Sequence, residues 1–354
     1  MRIDAVELFH QRLPLTQPYT ISSETYSDVE LSFVRMHAGG FVGFGCASPA
    51  PEVTGETPAA TRAALEHVRD LLVGQDASDV GELARRLELE FVNAPAARAA
   101  ADMALWDLLG QARGAAVVDL LGRVHRELPT SVTIGIQSTE SAIEAAREYV
   151  ARGFKALKVK LGRDVDAEID RLQRLRALVG PHIALRTDPN MGYDAPSLRR
   201  YLNGTRELQI EFCEQPLPRG SDDALRAFDD DERARFAADE SVIDLADASR
   251  LLETPRRYGI LNVKLMKCGG ITPALPIATL AASAGVSLMW GCNDESCIAI
   301  AAALQVAFAS SATRYLDLDG SFDLASDVAE GGFVLEDGMM RTASGAGLGA
   351  RWVM

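Results

Sequence analysis

Five charged residues, Lys160, Asp188, Glu214, Asp239 and Lys264, recur along this 354-residue chain at steps of 28, 26, 25 and 25 residues. Each closes a short apolar run: ALKVK, IALRTD, QIEFCE, RFAAD and GILNVK. Charged side chains are rarely buried without a partner, so runs of this kind need an explanation. If each run is one strand of a repeating strand–helix unit, the five charges converge on one rim. Two amines then flank three carboxylates.

The surrounding pattern supports that unit. Between residues 130 and 320, eight candidate strands follow one another: SVTIGI, ALKVKL, IALRTD, QIEFCEQ, RFAADE, GILNVKLM, VSLMWGC and RYLDLD. Amphipathic helices such as SAIEAAREYVARG and DAEIDRLQRLRALVG separate them. Strands alternating with helices predict a parallel sheet, and eight of them favour a closed barrel over an open sheet. The segment before them differs. Apolar alternation through VELSFVRMHAGGFVGFGCAS predicts antiparallel strands. Helical patterns follow in TPAATRAALEHVRDLLVG and APAARAAADMALWDLLGQARG. The latter sets Ala101, Leu105, Leu108 and Leu109 on one stripe before Gly114, a suitable helix stop. The expected fold is α/β: a modified (β/α)8 TIM-type barrel with an α+β capping domain. Residues 1–125 form the cap, 126–325 the barrel, and 326–354 a C-terminal segment returning to the cap. SDDALRAFDDDERAR is expected to be a solvated helical face.

Composition excludes several classes. A net charge of −14 argues against binding nucleic acid or an anionic membrane. No apolar stretch approaches the roughly 20 residues that span a bilayer, and MRIDAVELFHQRLPL lacks the layout of a signal peptide. A cytoplasmic location is the simplest expectation, and the sequence leaves a homo-oligomer open. The five cysteines show no CxxC spacing, which predicts free thiols and neither a zinc site nor a disulfide framework. His10, His37, His67, His125 and His182 all lie away from the candidate strand ends, so histidine is not the expected base. Cys292, Cys297 and the tryptophans Trp106, Trp290 and Trp352 read as packing residues. GAGLGA near residue 345 follows no clear strand and reads as a loop.

The strand ends carry the chemistry, as they do in barrels generally. Asp188, Glu214 and Asp239 come from three successive strands and form a hard oxygen site suited to Mg²⁺ or Mn²⁺. In KVK, Lys158 and Lys160 share one face because strand side chains alternate. Lys264 stands across the barrel. A lysine near its ordinary pKa of about 10.4 is a poor base. Neighbouring ammonium groups and a divalent cation are expected to lower it. Amines on opposite sides of a carbon acid suit a two-base racemase or epimerase.

KVK, TDPN, EQP, ADES and NVKLMKCGG, in this order, resemble the enolase superfamily, specifically its muconate-lactonizing-enzyme-like subgroup. ALWDLLGQARG followed by VVDLLG, and SPAPEVTGET, are similar to that family's capping segments. The resemblance covers nearly the whole chain. It implies that Lys160 and Lys264 are the acid/base catalysts and that Asp188, Glu214 and Asp239 bind Mg²⁺. It also implies that Lys158 neutralises a substrate carboxylate and that Asn190 supports the metal carboxylates.

Substrate choice turns on YLDLDG. Asp317 and Asp319 face the same way and suit an ammonium group; this DxD resembles the dipeptide epimerases. Cycloisomerases, o-succinylbenzoate synthases and N-acylamino acid racemases of the same superfamily handle substrates without that ammonium. Epimerases acting on Ala-Glu carry an arginine in the capping loop, where QPYTISSETY places Glu24. A dianionic dipeptide is therefore disfavoured. The expected substrate is an L-Ala-L-Xaa dipeptide with a neutral or hydrophobic second residue, the alternative being a cationic one drawn to Glu24. GCNDES sets Asn293 and Asp294 near the pocket, where either could alter the preference. A non-catalytic metal-binding protein is the rival from another class, and it predicts that the two lysines are dispensable.

Overall fold

Long alternating strands open the chain because their apolar residues repeat at every second position. The computed structural model describes residues 1–20 and 25–353. Strands β1 (Ile3–Thr20), β2 (Thr25–Ala38) and β3 (Phe41–Ala47) form an antiparallel sheet with β2 in the middle. Ile3, Val6, Leu31, Phe33, Val34 and Met36 are buried, on both of its faces. Helices Pro58–Leu72, Val80–Glu90 and Pro95–Arg113 pack beside it.

Pro95–Arg113 begins with proline in its first turn and stops at Gly114, whose φ is 63°. Proline fits where the amide needs no partner, and glycine fits the left-handed stop. The expected single stripe is too narrow, because every residue from Pro95 to Leu105 is buried while Leu109 stays half-exposed. The reason is that β3 packs on one side and helices Leu265–Cys268 and Ile271–Ala284 on another. Gly45 permits the close approach: a Cβ there would lie 1.8 Å from the Ala100 carbonyl oxygen.

After the two-residue strand β4 (Leu128–Pro129), eight parallel strands follow in sequential order. They are β5 (Ser131–Ile134), β6 (Ala156–Lys160), β7 (Ala184–Asp188) and β8 (Ile210–Glu214), then β9 (Phe236–Ala238), β10 (Ile260–Val263), β11 (Ser287–Gly291) and β12 (Thr313–Asp317). All eight correspond to the expected runs. A bridge between Thr130 and Leu316 joins the first strand to the last and closes the barrel. Arg186 of β7 reinforces that seam from inside, donating to the Leu316 carbonyl at 2.7 Å and to Ser131 Oγ at 3.2 Å. The fold is thus a modified (β/α)8 barrel with a sheet-rich N-terminal region.

The acids of the stretch after β8 are largely exposed, as expected, with Asp222 the exception. The stretch forms a short 3₁₀ helix, Asp222–Ala227, and a single turn, Asp230–Arg233. Asp222 is buried there, accepting hydrogen bonds from Ser241 Oγ at 2.6 Å and Tyr258 Oη at 2.7 Å. A buried carboxylate with two hydroxyl donors is a structural anchor, not a solvated face.

The chain ends in short strands β13 (Ala329–Gly331), β14 (Phe333–Glu336), β15 (Met339–Thr342) and β16 (Ala350–Trp352). Trp352 packs against Phe9, Phe33 and Phe44 of the first sheet. Among the described residues, no helix is long and apolar enough to cross a membrane.

Asp107 fastens these parts together. Its carboxylate accepts from the Phe44 amide at 3.0 Å and the Leu348 amide at 2.8 Å while 2% exposed. Asp107→Ala leaves two buried amides without acceptors and is expected to cost roughly 2–4 kcal/mol. Asp119→Ala, which removes an exposed pair with Arg123, is expected to change stability by under about 0.5 kcal/mol. Urea denaturation of both variants checks the contrast.

Candidate active site

Because the strands are parallel, their C-terminal ends open on one side, and each site residue stands at or just past such an end. Lys160, Asp188, Glu214 and Asp317 are the last residues of β6, β7, β8 and β12. Asp239 and Lys264 directly follow β9 and β10. The register pairs Lys160 with Asp188. A cavity of about 400 Å³ lies over these ends. Tyr26, Asp28, Val29 and Glu30 of β2 and residues 48–53 after β3 also line it.

Charge compensation organises the floor. Lys158 Nζ lies 3.1 Å from Asp188, 2.7 Å from Glu214 and 2.8 Å from Asp317. Lys160 Nζ donates to Asp188 Oδ2 at 2.7 Å. Asp239 sits between two ammonium groups, Lys264 at 2.8 Å and Lys267 at 2.5 Å. Burial opposes the charge of Lys158, yet the carboxylates of Asp317, Glu214 and Asp188 raise its pKa well above the ordinary value. Lys264 shows the same balance: burial lowers its pKa, and Asp239 more than offsets that. The lowered lysine pKa expected from sequence includes the charge of a divalent cation, and the balance here is that of the protein groups alone. Carboxylate attraction outweighs both burial and ammonium repulsion.

Glu214 lies at the other extreme. Burial and then Asp188 push its pKa up to about 8. Its Oε2 forms an ion pair with the Lys158 ammonium at 2.7 Å, without the alignment of a hydrogen bond. This donor set fits a hard divalent cation: three fully buried carboxylates, one of them under-compensated, with no sulfur or imidazole ligand. The carboxylates are held by lysines and not as a ready-made cage. Among the described residues, no group of three His, Cys, Asp or Glu side chains is arranged to hold a metal. The Lys158 ammonium lies between Asp188 and Glu214.

Several supporting residues escaped the sequence reading. Gln215 adopts φ 31°, a strained value for a non-glycine residue. Its side chain explains how that is held. Oε1 accepts from the amides of Asp239 and Ser241 at 3.0 and 3.1 Å, and Nε2 donates to the Leu217 carbonyl at 2.9 Å. Asn262 Nδ2 donates to Glu214 Oε1 at 2.7 Å. Alternation in LNVK was the available signal, since Asn262 lies two residues before Lys264. Lys267 is satisfied by Asp239 and by the Asn262 carbonyl at 3.1 Å. Asn190 supports Asp188 through its backbone amide, at 2.8 Å, while its side-chain amide donates to Glu240 at 3.4 Å.

The remaining expected residues divide. Asp317 is fully engaged, by Lys158 and by Ser131 Oγ at 2.5 Å. Among the described residues, the Asp319 carboxylate accepts only from the Thr133 amide, at 2.7 Å. Asn293 lines the cavity, but its side-chain amide is committed to the Ser48 carbonyl at 3.0 Å. Glu24 lies outside the described residues.

Comparison with known proteins agrees with this geometry. A model described as the mandelate racemase / muconate lactonizing enzyme N-terminal domain matches residues 3–122. One described as enolase C-terminal domain-like matches residues 141–353. The chain belongs to the enolase superfamily. It is 50% identical to an L-Lys-D/L-Arg epimerase of Methylococcus capsulatus over 351 residues, 99% of each chain. It is 32% identical to a hydrophobic dipeptide epimerase of Enterococcus faecalis over 352 residues, again 99% of each. A solved structure of a Methylococcus capsulatus dipeptide epimerase complexed with Mg and the dipeptide L-Arg-D-Lys aligns with a TM-score of 0.97 at 49% identity. That alignment covers 99% of this chain and 100% of that one. This member of the enolase superfamily is an isomerase of the racemase and epimerase type.

In this superfamily member, Lys158→Met removes the ammonium between three buried carboxylates. The expected cost at pH 8 is about 3–5 kcal/mol, as for breaking a buried ion pair. At pH 5 the loss shrinks, because Glu214 and its neighbours take up protons in place of the lost ammonium. Urea titrations at both pH values check this; equal losses would mean that the ammonium does not offset carboxylate charge.

Proposed function

We propose that this isomerase is a Mg²⁺-dependent dipeptide epimerase whose preferred substrates carry cationic side chains. It moves the α-proton of the C-terminal residue between two lysines. The observation that carries the cationic preference is the cavity wall. Asp294, Asp319 and Asp323 line it with no salt bridge to any of them among the described residues. Burial raises their pKa values to about 6, 7 and 7 respectively, helped by repulsion from Asp319 on Asp294, from Asp317 on Asp319 and from Asp294 on Asp323. Like charges held together in a half-enclosed space favour a cationic ligand. The 50% identity with an epimerase named for lysine and arginine supports the same choice. The neutral or hydrophobic dipeptide expected from sequence rested mainly on the loop around Glu24. The alternative weighed there, a cationic dipeptide, has the better support.

In this reading Asp188, Glu214 and Asp239 hold the metal. When bound, Mg²⁺ takes up carboxylate charge that otherwise keeps protons on the lysines, and it favours negative charge on the substrate carboxylate. Lys160 and Lys264 act as the base and acid on opposite faces of the α-carbon. Lys158, held by Asp317, faces the developing oxyanion. Asp319 receives the α-ammonium, because Asp317 is already committed to Lys158 and Ser131. An N-acyl substrate leaves that carboxylate unpaired.

The test is a set of dipeptides incubated with the enzyme and MgCl₂ in D₂O, with products read by mass spectrometry. Lys- and Arg-containing dipeptides are expected to gain one deuterium at the C-terminal α-carbon, with kcat/KM at least tenfold above Ala-Leu and Ala-Glu. Their KM is expected to fall as pH rises from 6 to 8, since Asp294, Asp319 and Asp323 become fully ionised across that window. Highest turnover on Ala-Glu or Leu-Tyr would overturn the reading.

A further inference from the structure

We infer that Asp294 and Asp323 form a second cation subsite that reads the side chain of the dipeptide's N-terminal residue. This inference rests on the epimerase reading above and assigns residues to it. The acids come from two loops that abut over the barrel mouth. A Cβ on Gly320 would lie 1.9 Å from the Asn293 carbonyl oxygen, and the Gly320 amide lies 3.3 Å from Cys292 Sγ. Only glycine lets the loop after β12 come so close to the loop after β11. That contact sets Asp294, on one loop, beside Asp319 and Asp323, on the other.

Both acids have fixed backbones and uncommitted side chains. Ser48 Oγ donates to the Asp294 carbonyl at 2.8 Å, which ties that loop to the end of β3. The Thr16 amide donates to the Asp323 carbonyl at 2.7 Å, and Leu15 bridges Leu324, which ties the other loop to β1. Neither carboxylate has a hydrogen-bond or ion-pair partner among the described residues. Among the other acids on the wall, Glu240 accepts from Asn190 through one oxygen only, and three more are engaged. Asp28 is paired with Arg12, Glu30 with Arg62, and Glu52 accepts from Tyr26 Oη.

An independent observation fixes which end of the ligand lies here. Asp319 is 6% exposed and lines the cavity, and it uses only Oδ2, for the Thr133 amide. Its other oxygen is the acceptor for the α-ammonium, so the neighbouring acids stand next to the N-terminal residue. The reacting carbon of the C-terminal residue lies instead between Lys160 and Lys264. Repulsion among the three carboxylates, felt by Asp294 chiefly from Asp319 and by Asp323 from Asp294, is what a side-chain cation would relieve.

The test compares Lys-Lys, Ala-Lys and Lys-Ala as substrates of the magnesium-loaded wild type, Asp294→Asn and Asp323→Asn. Ala-Lys keeps the α-ammonium and the C-terminal side chain and lacks only the N-terminal side-chain cation. In each variant the kcat/KM ratio of Lys-Lys to Ala-Lys is expected to fall at least roughly tenfold, mainly through KM, as for a lost hydrogen bond to a charged group. The ratio of Lys-Lys to Lys-Ala is expected to move by less than about threefold, and Asp294→Glu to regain part of the loss. Losing a repelled carboxylate should leave the melting temperature equal or higher, so loss of fold is separable. Equal losses on Ala-Lys and Lys-Lys, or no change in either ratio, would overturn the subsite. A wild type that turns over no dipeptide at all would instead refute the epimerase reading.

Discussion

Every other feature of this protein has to accommodate one constraint, the burial of many charges at the mouth of a barrel. Lys158 alone contacts Asp188, Glu214 and Asp317. Desolvation of isolated charges costs several kcal/mol per ion, so such groups persist only where partners are held in place. The barrel supplies that geometry. Strand ends converge, alternation puts Lys158 and Lys160 on one face, and the register sets Lys160 beside Asp188. Compensation is nevertheless incomplete at Glu214, whose pKa stays raised to about 8, and it is there that the proposed divalent cation would add positive charge.

Support for the charged floor comes from residues that touch backbone more than they touch the cavity. Gln215 locks the loops after β8 and β9 together through four hydrogen-bonded groups, and its strained φ is the local cost of that arrangement. Arg186 and Ser131 tie the seam of the barrel to Asp317, which in turn orients Lys158. Lys158 thus depends on contacts reaching down to the barrel interior, where Arg186 stacks on Phe212 and Tyr315.

Much of this was readable in the sequence, for a physical reason. A charge at the end of an apolar run is costly, so its recurrence exposes both the period of the fold and the rim where the chemistry stands. Lys160, Asp188, Glu214, Asp239 and Lys264 carried that signal. Neutral amides did not, because Gln215 and Asn262 pass as ordinary polar residues until their partners from other strands are known. Asp222 misled in the opposite direction: an acidic run predicts a solvated face, and only tertiary contacts with Ser241 and Tyr258 reveal a buried anchor. Substrate preference was the least readable property. The cationic preference proposed here rests on which carboxylates remain uncommitted after folding, and Asp294, Asp317 and Asp319 look alike in sequence. In the fold, Asp317 is committed to Lys158 while Asp294 has no partner among the described residues.

The central claim is that Lys160 and Lys264 address opposite faces of one α-carbon. Proton NMR in D₂O, following α-proton exchange of the L,L and L,D forms of a lysine-containing dipeptide with Lys160→Ala and Lys264→Ala, tests it most directly. Each variant is predicted to stop epimerisation yet still exchange the α-proton of one diastereomer, and the two variants are predicted to spare opposite diastereomers. Exchange of the same diastereomer by both variants, or epimerisation surviving in either, would contradict the account.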